Sequence, residues 1–201
     1  MKERGIIFNS EMVRAILDGR KTQTRRIMKS QPKTNENGDI WWPSNICQSM
    51  INIKEMMQDN EGVWAGIAGI SCPHGGVGDH LWVRETFKAG VCTESTIAYK
   101  ATHKPSDLEE GWYEEIKWTP SIHMPRWASR ITLEIVDVRV ERLKDAGDTE
   151  FKAEGYPLDR ELTGGSMDPF CWFRNLWDSV SPTNFKYADN PWVWVIEFKR
   201  I

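Results

Sequence analysis

Residues 130–141 alternate apolar and polar side chains from Ile131 to Val140. Alternate residues of a strand share a face, so this spacing predicts a long strand with one buried side. The alternation changes phase at Ile135-Val136, which predicts a β-bulge or a strong bend there. The closing segment, Pro191 to Lys199, is instead β-branched and aromatic on both faces. A strand of that kind is buried from both sides, so Trp192 and Trp194 are expected to be packed. Together the two segments require a sheet with cover on each face.

Shorter elements surround this pair. Gly5-Ile6-Ile7-Phe8 reads as a strand. Gly78-Asp79 reads as a turn into a second strand, His80 to Phe87, with Leu81, Val83 and Glu85 on one face and Trp82, Arg84 and Thr86 on the other. Thr96 to Ala101 is a further strand candidate. Ser10 reads as the N-cap of a helix whose Met12, Val13, Ile16 and Leu17 recur at helical spacing, closed by Gly19. Asp148 would cap Thr149 to Glu154, with Gly155 at its end. Asp168-Pro169 starts a helix with an apolar stripe of Phe170, Phe173, Leu176, Trp177 and Val180. Residues 30–78 look irregular and read as an insertion or long loop, with a short helix near Ile51 to Gln58. Lys104 to Glu115 reads as a polar loop. There is no internal repeat and no second core. The expectation is one α+β domain over residues 1–201, a small barrel of five to six strands with a few flanking helices.

A chain of 201 residues can bury a core without disulfides or metal. Its net charge of -3 provides no global field toward nucleic acid, so any such binding needs a local patch. No apolar run is long enough to span a membrane, and Met1 to Gly5 lacks the apolar core of a signal peptide. Cys47, Cys72, Cys92 and Cys171 are widely spaced, which suits reduced thiols in a cytoplasmic protein. Eleven tryptophans fill a core, line a pocket or stack on bases.

Chemistry concentrates in Gly19-Arg20-Lys21-Thr22-Gln23-Thr24-Arg25-Arg26, with four cations and two hydroxyls. Clustered Arg and Lys beside hydroxyls suit a phosphate or a nucleic-acid backbone. A Lys near a Thr hydroxyl is equally a base beside its nucleophile, if burial lowers the Lys pKa. A charged edge strand that resists aggregation would look the same. As a strand, the run turns Lys21, Gln23 and Arg25 one way and Thr22, Thr24 and Arg26 the other; a twist near Lys21 would bring it beside Thr24.

Other constellations are thinner. Cys72-Pro73-His74, with Cys47 or Cys92, offers too few closely spaced ligands for zinc, and no metal or cofactor is expected. His123, Arg126 and Trp127 sit in a segment made rigid by Pro120 and Pro125, where a cation and a π face are offered together. Arg84 and Glu85 are neighbours in a strand, so one faces inward; a buried Glu85 would need a partner, such as an arginine of the basic run. Glu197 raises the same question within an apolar strand.

In this order the elements resemble the ASCH family of the PUA-like superfamily. The resemblance rests on the helix ending in Gly19 to Arg26, on Gly78 to Glu85, on Leu143 to Gly155 and on Val195 to Phe198. The long, Trp-rich form is similar to versions in phage and prophage genomes, which would place it in a bacterial host cytoplasm. The resemblance implies a barrel with a basic cleft for RNA or a nucleotide-like ligand. Arg20, Arg25 and Arg26 would line it, joined by Arg84, His123, Arg126 and Trp127. A bacterial subgroup of the family is similar to amidohydrolases that deacetylate N4-acetylcytidine with a Lys, a Thr and a Glu. Lys21 and Thr24 match the first two by position, and Glu154 the third, with Glu85 and Glu197 as alternative carboxylates. RNA or nucleotide binding is the first expectation, amide hydrolysis the second and ribonuclease action, with Lys21 stabilising a phosphorane, the third.

Overall fold

The computed structural model describes residues 1–44, 49–53, 70–90, 96–108 and 115–201. Strand β1 (Glu3–Ile7) leads into helix α1 (Ser10–Leu17). The cap is Asn9, one residue before the expected Ser10; its side chain accepts from the Met12 N–H at 2.9 Å. Gly19 closes the turn at φ +76°, a conformation open to a residue without Cβ. The chain then enters β2 (Gln23–Ile27).

Three short strands follow where the sequence suggested irregular chain: β3 (Lys33–Thr34), β4 (Ile40–Ser44) and β5 (Ser49–Asn52), paired as an antiparallel sheet. The expected helix near Ile51 to Gln58 begins on a strand, and its residues 54–58 lie outside those described. Next come β6 (His80–Arg84) and the hairpin of β7 (Phe87–Ala89) with β8 (Ile97–Tyr99). The long strand is β9 (Thr132–Arg142). Helices α2 (Asp148–Ala153), α3 (Leu158–Thr163) and α4 (Asp168–Val180) precede β10 (Trp192–Arg200). No helix among the described residues is long and apolar enough to cross a membrane.

The main sheet has the order β1-β6-β9-β10-β2, with β1 and β6 parallel and the other pairs antiparallel. Opposite β10, Glu197 pairs with Asp137 and Phe198 with Ile135, so Val136 has no partner. That unpaired residue is the bulge announced by the phase slip. β10 divides its side chains between two cores. Trp194, Ile196 and Phe198 join Ile6, Phe8, Leu81 and Val140 on one face. Val193 and Val195 join Phe151, Phe173 and Trp177 from α2 and α4 on the other. At the end of the expected α4 stripe, Val180 is exposed.

The α+β class holds, but the barrel expectation needs correction. No ladder joins the edge strands β1 and β2 among the described residues. Arg26 of β2 instead donates to the Ile7 carbonyl at 2.8 Å. Trp42, Ile51, Ile53 and Cys72, all from the 30–78 segment, complete the first core, with Trp42 edge-on to Trp194 at 5.4 Å. Side chains of this segment thus fill part of the first core.

Candidate functional site

Two turns of backbone bring the basic run against the end of α2. The Lys21 N–H donates to Ala15 O and the Thr22 N–H to Ala153 O, and Lys21 forms an isolated bridge with Glu154. Gly155, at φ +101°, turns the chain away at once. A Cβ there would lie 2.9 Å from Ala15 Cβ and 3.2 Å from Lys21 Cβ, so glycine permits the close approach.

Lys21 is fully buried, and its Nζ donates to Glu154 Oε2 at 2.7 Å and to the Glu154 carbonyl at 2.9 Å. Burial pushes its pKa below the ordinary lysine value; the charge and hydrogen bond of Glu154 oppose the shift, and Arg26 and Arg25 add to it. A neutral amine has two N–H groups and one lone pair. Both contacts of the Lys21 amine go to Glu154, and the downward shift favours the neutral form, which can accept a proton.

Glu154 is shared. Its Oε1 accepts from Arg25 at 3.4 Å, and Arg25 also donates to Glu141 at 3.1 Å. Glu141 in turn binds Arg139, which also contacts Asp137, Glu197 and Gln23. Glu197 therefore belongs to this network and not beside Lys21.

Strand phase separates the rest of the run. Arg25 lies over Phe173 on the helix-covered face, 5.8 Å from the ring centroid. Thr24 and Arg26 pair with Ile196 and Trp194, which face the other core. Arg26 and the Lys21 Nζ both lie over Phe8, at 5.1 and 5.6 Å, so Thr24 is on the side that Lys21 reaches. The Thr24 side chain is buried. Arg26 Nε is buried without a partner.

The basic run is not an open wall of cations, contrary to expectation. Lys21 and Arg25 are buried in ion pairs, and Arg20 donates to Asp18 and to the carbonyls of Gly155 and Tyr156. A cleft of about 470 Å³ between α1 and α4 reaches Glu154, with Trp172 on its wall; Lys21 and Thr24 do not line it.

The remaining candidates lie elsewhere. Glu85 is buried, but its partner is Arg130, at 2.9 and 3.0 Å, and not an arginine of the basic run. Arg84 donates to the Ile122 carbonyl, Arg126 pairs with Glu3 at 3.0 Å, and His123 and Trp127 are exposed. Cys72 is buried, its thiol pushed up to about 11 by desolvation. Among the described residues no three His, Cys, Asp or Glu side chains gather as for a metal. Cys47 and Cys92 fall outside those residues. So do Glu109, Glu110 and Glu114 of the expected polar loop. The Arg139 network was not anticipated; its signal was the placement of Asp137, Arg139 and Glu141 on one face of β9.

No family model matches this chain, and no curated protein matches it. Among solved structures, it is similar to one described as a high-resolution crystal structure of an ASCH domain from Lactobacillus crispatus JV V101, with 9% identity and a TM-score of 0.38, over 99% of this chain and 79% of that one.

Proposed function

We propose that this chain hydrolyses the amide of an N-acylated nucleoside at Lys21, Thr24 and Glu154. The observation that carries the reading is the buried Lys21 amine, held by Glu154 Oε2 at 2.7 Å and by the Glu154 carbonyl at 2.9 Å, with its pKa pushed down by burial. Thr24 Oγ1 attacks the acyl carbon as Lys21 takes its proton. The buried Arg26 Nε, without a partner, is the candidate donor to the developing oxyanion. Collapse breaks the C–N bond, and Lys21 returns the proton to the leaving amine. Water, activated by the same amine, then hydrolyses the Thr24 ester. Glu154 orients Lys21 throughout, and the adjacent cleft brings ligand or solvent up to Glu154.

The test is cytidine release from N4-acetylcytidine by the wild-type protein and by Thr24→Val, which keeps the shape and removes the hydroxyl. Turnover that falls at least about 100-fold in the variant supports the reading, the scale expected for loss of a reacting group. Equal turnover in both, or none from folded wild type, overturns it.

A second reading, binding of RNA or a nucleotide, is favoured by a different observation. Arg26 and Arg84 have no carboxylate partner among the described residues; each hydrogen-bonds a backbone carbonyl. Mobility shift at low and high salt tests it, since phosphate contacts weaken as salt rises. Ribonuclease action would need Lys21 turned toward a phosphate, whereas both its contacts go to Glu154.

A further inference from the structure

Gly5 lies in β1 beside β6, and two long side chains of β6 cross over it. A Cβ at Gly5 would lie 2.8 Å from the Trp82 ring and 2.9 Å from Arg84 Cδ. The missing side chain therefore lets Trp82 and Arg84 lie against the β1 backbone. The Arg84 guanidinium is 5.4 Å from the Trp82 ring centroid and donates to the Ile122 carbonyl. Arg126 ties the next turn to the same strand through Glu3, at 3.0 Å. At these two anchors the loop presents Ile122, 60% exposed, and Trp127, 70% exposed. At the other end of β1, Ile7 is exposed, and Arg26 reaches its carbonyl at 2.8 Å. A chain of contacts thus runs from Arg26 through Ile7 and its register partner Arg84 to Ile122.

Charge distinguishes this surface from the rest of the basic run. Lys21, Arg20 and Arg25 each have a carboxylate partner. Arg26 and Arg84 do not, among the described residues, and each keeps a buried Nε without a partner. Two guanidiniums without an ion-pair partner among the described residues, on a surface that also carries the exposed Trp127, attract a chain with both negative charge and flat apolar faces.

We propose that this surface, β1 and β6 with the 121–128 loop, is a platform for single-stranded nucleic acid. It deepens the second reading above and does not depend on hydrolysis at Lys21. Unpaired bases stack on Trp127, with Ile122 and Ile7 as apolar neighbours, and Arg84 and Arg26 meet the phosphates. A duplex keeps its base faces covered and so gains only the phosphate contacts. With two such contacts, the affinity falls with salt at a log–log slope of about -1.4.

The experiment is fluorescence anisotropy with a labelled single-stranded RNA of mixed sequence and the same RNA as a duplex, across a salt series. Wild type should bind the single strand more tightly than the duplex. Trp127→Ala should weaken single-strand binding by about tenfold or more, as expected for one lost stacking contact. Trp127 is exposed, so its removal spares the fold. Gly5→Ala, which displaces Trp82 and Arg84, should weaken binding too, while Leu162→Ala, at an exposed leucine of α3, should change nothing. RNA binding that is indifferent to Trp127 and Gly5 overturns the platform and leaves the second reading intact. No RNA binding at low salt overturns both, and tighter binding of the duplex overturns the single-strand assignment.

Discussion

Lys21 and Glu154 are 133 residues apart in sequence and are bonded twice, side chain to carboxylate and side chain to carbonyl. The pair fastens the end of α1 to the end of α2 and is almost completely removed from water. A buried pair stabilises little compared with an apolar replacement, but a broken one leaves an uncompensated group.

Lys21→Met should therefore cost about 3–5 kcal/mol, the range for removing one partner of a buried pair. Glu154→Gln added to Lys21→Met should cost much less than Glu154→Gln alone. Urea unfolding of the four proteins measures the coupling. Costs that simply add would show that the two residues act independently.

His74 provides a pH dependence. Burial, and then the charges of Arg26, Arg4 and Lys29, lower its pKa from 6.5 to about 4. Between those values the unfolded chain binds the proton more readily than the folded one, so stability rises with pH. The contribution is present above 6.5 and is lost as pH falls toward 4. Unfolding free energies across this window should show the slope in wild type and a flatter one in His74→Gln.

Gly155→Ala tests how closely α1 approaches Lys21. The residue has φ +101°, and a Cβ would press on Ala15 and Lys21. Backbone strain of this kind costs about 1–3 kcal/mol. Adding Ala15→Gly removes the closer of the two Cβ contacts but neither the Lys21 contact nor the strain, so it should restore only part of the loss in urea unfolding. Complete recovery would assign the whole effect to packing.

Much of this arrangement is legible in the sequence because it is local. The phase slip at Ile135-Val136 marks the bulge, the two apolar faces of β10 mark a strand covered on both sides, although the two separate cores there were not expected, and Glu154 before Gly155 marks a helix end. The partners of the arginines are not legible in that way. Arg25 meets Glu141 at a separation of 116 residues, and Glu85 meets Arg130 at 45. No period in the chain encodes such pairs, so a run that reads as a basic wall becomes an internal network. The small β3-β4-β5 sheet escaped for a different reason. Its strands are short, and Pro43 lies within one of them, which argues against a strand wherever a backbone donor is needed.

That small sheet leads to the last prediction. Trp42 of β4 is buried, its ring edge-on to Trp194 of β10, and its Nε1–H donates to the Ser30 carbonyl at 2.8 Å. If the 30–78 segment merely decorated the surface, Trp42→Ala would alter stability by no more than about 0.5 kcal/mol. Its place in the first core predicts about 3–5 kcal/mol instead, the cost of emptying a buried aromatic site. Trp42→Phe should lose less, since it keeps a ring against Trp194 and removes the donor to Ser30. Urea denaturation of both variants decides the matter. A large loss in the first and a smaller one in the second would mean that the 30–78 segment is an integral part of the first core.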